Sequence, residues 1–489
     1  MRVYSVSDLH VDHAANARWV DGVEDHGGDS CLVVAGDVSA TAGRVVRTLA
    51  SLRRKFGRVF FVPGNHDLWL GSHEDAGDAF RDSLAKLEAL ERMCAAVGVE
   101  TRPGFLGQGD AHPCCVVPLH AWYCARFDRE PDLPGPLRAQ PTPASDLTVD
   151  SFRCLWPPLG EDHRPAPSAF PPPPPRRCPE GTEVCAAMDA RNEDGWDDLV
   201  MAVAMEARCE ALTFSHFLPR PELLPEKRFL LHPNLARVVG SDLLGARVRA
   251  LRPVLHVFGH THLVWDMVLD GTRFVQWPLA SPREQQRRAF FSEGASQASL
   301  DPGAPLLLFD TRQDDPTTGV CVPDVGSSWC AWYRDHARDP GSARLAPYTA
   351  MLYRGVDDPG EVEDELPAPL LGREEEAAEL LWRDMQRASP PGMLGSSDRA
   401  SPASLLLYPS AGRRRAQSMR ESGGAADDQD NLRGLLKEWL ANVEPSESVG
   451  FETMLHEKKK GALHAQHGMH ETSPPPSPRP RPRRRSSEH

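Results

Sequence analysis

Five short motifs carry carboxylate, imidazole and amide side chains, which are groups that bind divalent cations such as Zn, Mn and Fe. Each motif directly follows an apolar segment with the pattern of a β-strand, and the carboxyl ends of parallel strands meet at one edge of a sheet. We therefore expect the motifs to converge. A single histidine after a strand is more often an ordinary core or surface group, so the prediction depends on the complete set. The motifs are Asp8-Leu9-His10, Gly36-Asp37, Gly64-Asn65-His66-Asp67, Ser215-His216 and Gly259-His260-Thr261-His262.

The spacing within two of these motifs suits a pair of metal ions. Asp8 and His10 are two residues apart, as are His260 and His262. In extended chain such residues point to the same side and lie about 6–7 Å apart, which is enough to reach two ions about 3.5–4 Å apart. Two divalent ions beside the carboxylates of Asp8 and Asp37 would carry a charge of about +2, which attracts phosphate locally in a protein of net charge −14.

The complete set of motifs resembles the signature of the calcineurin-like metallophosphoesterase superfamily over about residues 1–280. The resemblance implies an α/β fold in which a two-sheet β-sandwich is flanked by helices. It also implies that His66 contacts the phosphate and acts as general acid, and that Asp67 orients His66. One metal ion would be held by Asp8, His10, Asp37 and His262, and Asp37 would bridge to a second ion that is completed by Asn65, His216 and His260.

The sequence departs from two groups of that superfamily. Purple acid phosphatases carry a metal-binding tyrosine shortly after the Gly-Asp motif, where this chain has no tyrosine between Val38 and Thr41. Phosphoprotein phosphatases place an arginine two residues before the Asn-His pair, where this chain has Pro63. The segment from Phe214 to Arg220 is similar to an uncharacterised plant-type subgroup. These differences argue against protein dephosphorylation, and the motifs do not identify the substrate.

These observations predict a metal-dependent hydrolase that cleaves a phosphomonoester or phosphodiester with a hydroxide bridging two divalent ions, either Mn, Fe or Zn. The alternative is a non-catalytic scaffold or interaction protein of the same fold. The presence of all seven predicted ligands and of His66 favours the enzyme. The histidines near the motifs that no coordination shell requires are His13, His73, His120 and His256. His256 lies inside a predicted strand, and we expect it to be a core group or a group that supports a ligand.

Alternating apolar and amphipathic segments predict the elements that position these motifs. Strands are expected at about 2–7, 31–35, 58–62, 116–119, 212–214, 254–258 and 305–309, with a hairpin of 264–269 and 273–277. Helices are expected at about 42–55, 76–97, 195–210 and 242–251. The βαβαβ order at the start of the chain indicates a parallel sheet.

Composition divides the chain into a folded part and a tail. Residues 1–349 are predicted to form the metallophosphoesterase domain, with a mostly irregular, proline-rich insertion at about 125–180. Residues 350–489 alternate charge runs with Ser, Pro and Gly, which predicts a long, mostly disordered tail with short helices near 373–388 and 431–442. These helices more often dock on their own core, but they could bind a protein partner.

Charge, hydropathy and cysteine usage exclude several classes of protein. The net charge of −14 argues against a broad nucleic-acid-binding face, and no apolar run is long enough to span a membrane. The 11 cysteines contain no CxxC pair, which favours free thiols in a reducing compartment. Strand-like alternation begins at Arg2, which leaves no room for a signal peptide. We therefore expect a cytoplasmic protein whose substrate is a phosphate ester.

Overall fold

The computed structural model describes residues 1–71, 80–133, 148–160, 174–178, 181–205, 209–230, 233–285 and 303–346, the last range without residues 316, 324 and 343. The predicted tail at 350–489, its two helices and parts of the proline-rich insertion lie outside the described residues. The domain boundary expected at 349 therefore stays a prediction.

The first sheet contains four strands and leads to three of the five motifs. Its strands are β1 (Arg2–Val6), β2 (Gly27–Ala35), β3 (Phe56–Val62) and β10 (Leu306–Asp310). The order across the sheet is β10-β1-β2-β3, in which β1, β2 and β3 are parallel and β10 pairs antiparallel with β1. The parallel strands therefore end at the same edge of the sheet.

The second sheet contains six strands and leads to the other two motifs. Its strands are β4 (Gly104–Leu106), β5 (Cys114–Pro118), β6 (Glu210–Phe214), β7 (Leu255–Phe258), β8 (Trp265–Leu269) and β9 (Thr272–Gln276). The order is β4-β5-β6-β7-β9-β8, with antiparallel strands only at the two edges. The predicted hairpin is β8 and β9, joined at Asp270 and Gly271.

Helices flank the two sheets. They are α1 (Ala14–Gly22), α2 (Ala42–Lys55), α3 (Ser83–Ala96), α4 (Asp150–Arg153), α5 (Thr182–Arg191), α6 (Trp196–Met205), α7 (Asp242–Leu251) and α8 (Ser328–Asp335). Helix α2 shows why these segments are helical, because its buried residues Val45, Leu49 and Leu52 recur at helical spacing on one face. Its last turn carries three basic residues, which suit the negative end of the helix dipole.

The two sheets pack face to face over a shared apolar core. Val33 and Phe60 from the first sheet lie in one buried cluster with Val116, Leu212 and Val257 from the second. The other faces of the strands pack against the helices, as Leu32 and Val34 do in the cluster that contains the apolar residues of α2. The predicted fold class, a two-sheet sandwich flanked by helices, is confirmed.

Two predicted helices differ from the structure. Helix α3 begins only at Ser83, because Asp82 is extended and its carboxylate caps the helix by accepting the amide of Ala85 at 2.8 Å. The helical prediction at 80–82 was therefore wrong. The helix predicted at 195–210 was also wrong at its last residue, because Glu210 lies in β6 and pairs with Cys114 of β5. Helix α4 is a short helix within the insertion that was expected to be mostly irregular. Within the described part of the chain, no helix is both long and apolar enough to cross a membrane.

Candidate active site

The five predicted motifs lie directly after β1, β2, β3, β6 and β7, and the structure brings their seven predicted ligands together. The amide of Asp8 donates to the carbonyl of Gly36 at 3.0 Å, which joins the first two motifs. The amide of His260 donates to the Asp8 carboxylate at 2.9 Å, which joins the two sheets at the site. These bonds make the site a junction between the sheets, as the convergence of strand ends requires.

The backbone at the site is left-handed rather than extended. The φ angles are 53° at Asp8, 41° at His10, 55° at Asp37, 77° at His260 and 59° at His262. The expectation that each pair of residues two apart points the same way from extended chain was therefore wrong. Non-glycine residues with positive φ are uncommon and cluster at functional sites, where surrounding bonds hold them in place. The left-handed turns at the strand ends therefore determine the directions of the predicted ligand side chains.

Two glycines are required by close packing around the site. A Cβ atom on Gly36, whose φ is +81°, would lie 2.4 Å from Nδ1 of His216. A Cβ atom on Gly64 would lie 2.2 Å from a carboxylate oxygen of Asp37. Neither position can accept another residue without moving a predicted ligand.

The first cluster of potential ligands contains Asp8, His10, Asp37 and His262, whose donor atoms all lie within 4.8 Å of one another. The Nε2 atoms of His10 and His262 are 3.0 Å apart. Nε2 of His262 is 3.4 Å from Asp8, and its Nδ1 is 2.8 Å from the carboxylate of Glu284. Glu284 therefore holds the Nδ1 hydrogen, so that in the neutral ring the Nε2 lone pair of His262 faces the cluster.

The second cluster contains Asp37, His216 and His260, again within 4.8 Å, and Asn65 lies beside it. Nδ1 of His216 donates to the carbonyl of Ala35 at 3.0 Å, so in the neutral ring the lone pair is on Nε2. Nε2 of His260 bonds to the carbonyl of Val238 at 2.9 Å, so its Nδ1 carries a lone pair.

Three acceptor atoms in this second cluster face one another. Oδ1 of Asn65 is 3.0 Å from Nε2 of His216 and 3.0 Å from Nδ1 of His260, and the two nitrogens are 3.2 Å apart. Lone pairs at these distances repel unless a cation or proton lies among them. Metal ligands at about 2.1 Å that subtend a right angle lie about 3.0 Å apart. The donor set and its spacing therefore fit a divalent cation.

Charges within the site strongly influence protonation. Burial alone would raise the pKa of Asp37, but His216 and His66 lower it well below its usual value. Burial alone would lower the pKa of His216, but Asp37, 3.4 Å away, raises it to about 9. Likewise Glu284 and Asp8 outweigh burial and raise the pKa of His262 well above its usual value. The two clusters thus favour added positive charge.

His66 is buried next to the carboxylate that the two clusters share. Its amide donates to Oδ1 of Asp37 at 2.9 Å, and its Nε2 lies 3.8 Å from Oδ2 of Asp37. Its ring stacks on Trp69 with the ring centres 3.7 Å apart. Burial outweighs the effect of Asp37 and lowers the pKa of His66 well below its usual value. The predicted general acid is therefore at the site and fixed in orientation.

Asp67 has a different set of contacts from the one expected. Its carboxylate accepts four main-chain amides, from Asp37 and Gly64 at 2.8 Å, Val38 at 2.9 Å and Ser39 at 3.0 Å. A carboxylate offers about four lone-pair positions, so these amides occupy them. The geometry favours an anchoring role for Asp67, and its orienting effect on His66 stays a prediction.

Two residues that contact predicted ligands were not found from the sequence. Glu284 bonds to His262 and also accepts the amide of Ser281 at 2.9 Å. The Ser-x-x-Glu spacing of residues 281–284 is that of a capping box, which could have indicated the position of Glu284 but not its contact with His262. Asp150 accepts the side-chain amide of Asn65 at 2.9 Å, and no sequence pattern marks it.

Two comparisons with known proteins bear on the family. The family model for calcineurin-like phosphoesterase matches residues 1–119, which contain the first three motifs. An [acyl-carrier-protein] phosphodiesterase, PptH, from Mycobacterium tuberculosis (strain ATCC 25618 / H37Rv) is 27% identical over 299 residues, which cover 59% of this chain and 81% of that protein. Both comparisons support the assignment of this chain to the calcineurin-like metallophosphoesterase superfamily. The two matches support phosphoester hydrolysis in general, and members of the matched family use divalent metal ions.

A solved structure is similar to this chain as well. The crystal structure of Phosphopantetheinyl Hydrolase (PptH) from Mycobacterium tuberculosis is 24% identical, covers 59% of this chain and 92% of that chain, and has a TM-score of 0.44.

Proposed function

We propose that this metallophosphoesterase cleaves a phosphodiester at a site that holds two divalent cations on either side of Asp37. The observation that carries the proposal is the presence of Asp37 in both ligand clusters. A carboxylate has two oxygens, so it can serve two cations at once. Asp8, His10 and His262 would complete one cation site, and Asn65, His216 and His260 would complete the other.

Three hydrogen-bond acceptors behind the histidine ligands would preorganise the site. Bound divalent cations supply Lewis acidity, which polarises phosphoryl oxygens and makes a water molecule acidic near neutral pH. Glu284 and the carbonyl oxygens of Ala35 and Val238 hold the ring hydrogens of His262, His216 and His260, so that the lone pairs face inward. The site is thus preorganised, because no ring needs to rotate before a cation binds.

His66 would supply a proton to the leaving group. Its ring is held by Trp69 and by the bond from its own amide to Asp37. An anionic phosphate beside the ring favours the protonated imidazole, which can donate to the departing alkoxide. Replacing His66 with glutamine should therefore lower turnover at least about 100-fold with nearly unchanged metal content.

The relative from Mycobacterium tuberculosis suggests the substrate class. It is named as a phosphodiesterase that acts on acyl-carrier protein, and 81% of its length aligns with this chain. We infer that the substrate is the phosphodiester that joins a phosphopantetheine group to a carrier protein. The net charge of −14 disfavours an acidic partner at long range, so recognition would depend on contacts near the site.

The test combines metal analysis with a substrate panel. The purified full chain is stripped with a chelator, reloaded separately with Mn, Fe and Zn, and assayed on bis-p-nitrophenyl phosphate, p-nitrophenyl phosphate and phosphopantetheinylated carrier protein. We expect two cations per chain and release of phosphopantetheine. The variant Asp37→Asn should lose turnover and retain neither cation, since Asp37 belongs to both clusters. Full activity of that variant would refute the proposed site, and full activity after stripping would refute the metal requirement.

A further inference from the structure

Helix α4, which belongs to the insertion at 125–180, lies next to the site. The amide of Leu70 donates to the carbonyl of Arg153 at 2.7 Å, and the Nε atom of Arg153 donates to the carbonyl of Leu70 at 3.0 Å. The amide of Ser83 donates to the carbonyl of Leu155 at 2.7 Å. These bonds hold α4 against the segment that follows Asn65 and His66.

One oxygen of Asp150 bonds to two side chains at the site. Its Oδ1 accepts Nδ2 of Asn65 at 2.9 Å and Nε1 of Trp69 at 2.6 Å. The Asp150 side chain is buried, with 2% of the residue exposed. A buried carboxylate is costly unless donors compensate it, so these two bonds are part of what keeps Asp150 in this position.

The bond to Asn65 determines which way its amide faces. The amide oxygen lies 3.0 Å from the lone-pair nitrogens of His216 and His260. A flipped amide would donate hydrogens to those nitrogens and occupy the lone pairs that a cation needs. The flip would also place the amide oxygen against the carboxylate of Asp150, which repels it. Asp150 therefore selects the orientation that can bind metal.

The bond between Asp150 and Trp69 also helps to position the predicted acid, His66. The indole ring of Trp69 stacks on His66 at 3.7 Å, and the guanidinium carbon of Arg153 lies 5.2 Å from the centre of the indole ring. Asp150 and Arg153 are the first and last residues of α4. Helix α4 thus contacts Asn65, which is a predicted ligand, and Trp69, which stacks on the predicted acid His66.

We propose that Asp150 is a positioning residue of this enzyme, which fixes the Asn65 amide for cation binding and the Trp69 indole beneath His66. This inference rests on the two-cation site proposed above. It gives the insertion a defined part in catalysis beyond shaping the surroundings of the site.

The experiment compares four variants by calorimetric titration of the metal-free full chain with Mn²⁺. Asp150→Ala removes the acceptor, and Asp150→Leu removes it at similar volume, so that one of them serves if the other does not fold. Asp150→Asn retains an oxygen that can accept both donors. Phe152→Ala is the matched control, because it changes an exposed side chain of the same helix.

Wild-type protein is expected to bind two Mn²⁺ ions. Loss of Asp150 in the alanine or leucine variant should weaken one of the two sites about 10–100-fold, as changes behind a ligand typically do, and leave the other within about threefold. Asp150→Asn should restore most of the affinity, and Phe152→Ala should match wild type. Turnover of the alanine variant at saturating Mn²⁺ should remain low, because Trp69 is also released.

Three outcomes decide between the possibilities. Two unchanged Mn²⁺ sites in a folded alanine or leucine variant would overturn the role of Asp150 and leave the two-cation site intact. Equal weakening of both sites together with a lower melting temperature would show a structural role only, and would also overturn the proposal. Fewer than two sites in wild-type protein would instead refute the proposed function, and the inference with it.

Discussion

Replacement of Asp67 with asparagine separates an anchoring role from a catalytic role for this residue. In Asp67→Asn one carboxylate oxygen becomes an NH₂ group, which faces two of the four amides that the oxygens now accept. Two buried amide donors then have no acceptor. Each such loss costs about 1–3 kcal/mol, so the free energy of unfolding should fall by about 2–6 kcal/mol. That is a large share of the stability of about 5–15 kcal/mol that is usual for a domain.

The assay is urea unfolding followed by tryptophan fluorescence, in the presence of a chelator so that metal binding does not contribute. Asp82→Asn is the matched control. Asp82 is equally buried, and its carboxylate accepts the amide of Ala85 at the start of α3. Asparagine caps helices about as well as aspartate, so the control should lose less than about 1 kcal/mol.

Metal content and turnover complete the comparison. Because Asp67 bonds to the amide of Asp37, its loss should release Asp37 and lower both metal retention and kcat. A variant with wild-type stability and metal content but low kcat would contradict the anchoring role and support the orientation of His66 by Asp67.

Three further predictions follow from contacts around the site. Glu284→Ala should weaken one cation site about 10–100-fold, since Glu284 holds His262, and competition with a chromogenic chelator measures this loss; unchanged affinity would contradict it. Burial lowers the pKa of His256 to about 3, so folded protein stays neutral there while the unfolded chain binds a proton below about pH 6.5. Stability should therefore fall by about 2 kcal/mol from pH 7 to pH 5 for this group alone, and urea titrations should show a weaker pH dependence in His256→Gln; equal dependence would exclude the effect. Chelation should lower the melting temperature of wild type, because the carboxylates of Asp8 and Asp37 then face each other without cations, but not that of Asp37→Asn, as measured by scanning fluorimetry.

The sequence was sufficient for the sheets and for the meeting of the motifs, because both follow from local patterns. A buried run such as Cys31 to Ala35 forms a strand in almost any α/β context, and a polar motif after it must lie at the sheet edge. The left-handed backbone at Asp8 and Asp37 could not be predicted in the same way. Those angles depend on bonds between neighbouring strand-end loops, such as the bond from Asp8 to Gly36.

The residues that bond to the predicted ligands could not be predicted from sequence patterns either. Asp150 is 85 positions from Asn65, and it lies in a segment whose proline content indicates irregular chain. His256 was expected to be a core or supporting group, and the structure places it in β7, where it bonds to Thr213 at 2.7 Å and Ser215 at 3.1 Å. Contacts of this kind depend on tertiary packing, which no local periodicity encodes.

The acidic residues around the predicted ligands also change the expected charge of the site, and with it the expected substrate. The charge of about +2 expected for two cations and their ligands counts only the carboxylates of Asp8 and Asp37. The structure adds Asp67, Asp150 and Glu284, each in contact with a predicted ligand or its backbone. Burial raises the pKa of Asp67 to about 7 and that of Asp150 to about 6, so Asp67 carries only part of a negative charge near neutral pH. Their negative charge strengthens cation binding but reduces the attraction of the site for a dianion. A phosphodiester carries one negative charge and loses less from this reduction than a monoester does. We therefore expect faster hydrolysis of diesters than of monoesters, and the ratio of kcat/KM for the two p-nitrophenyl substrates measures that preference directly.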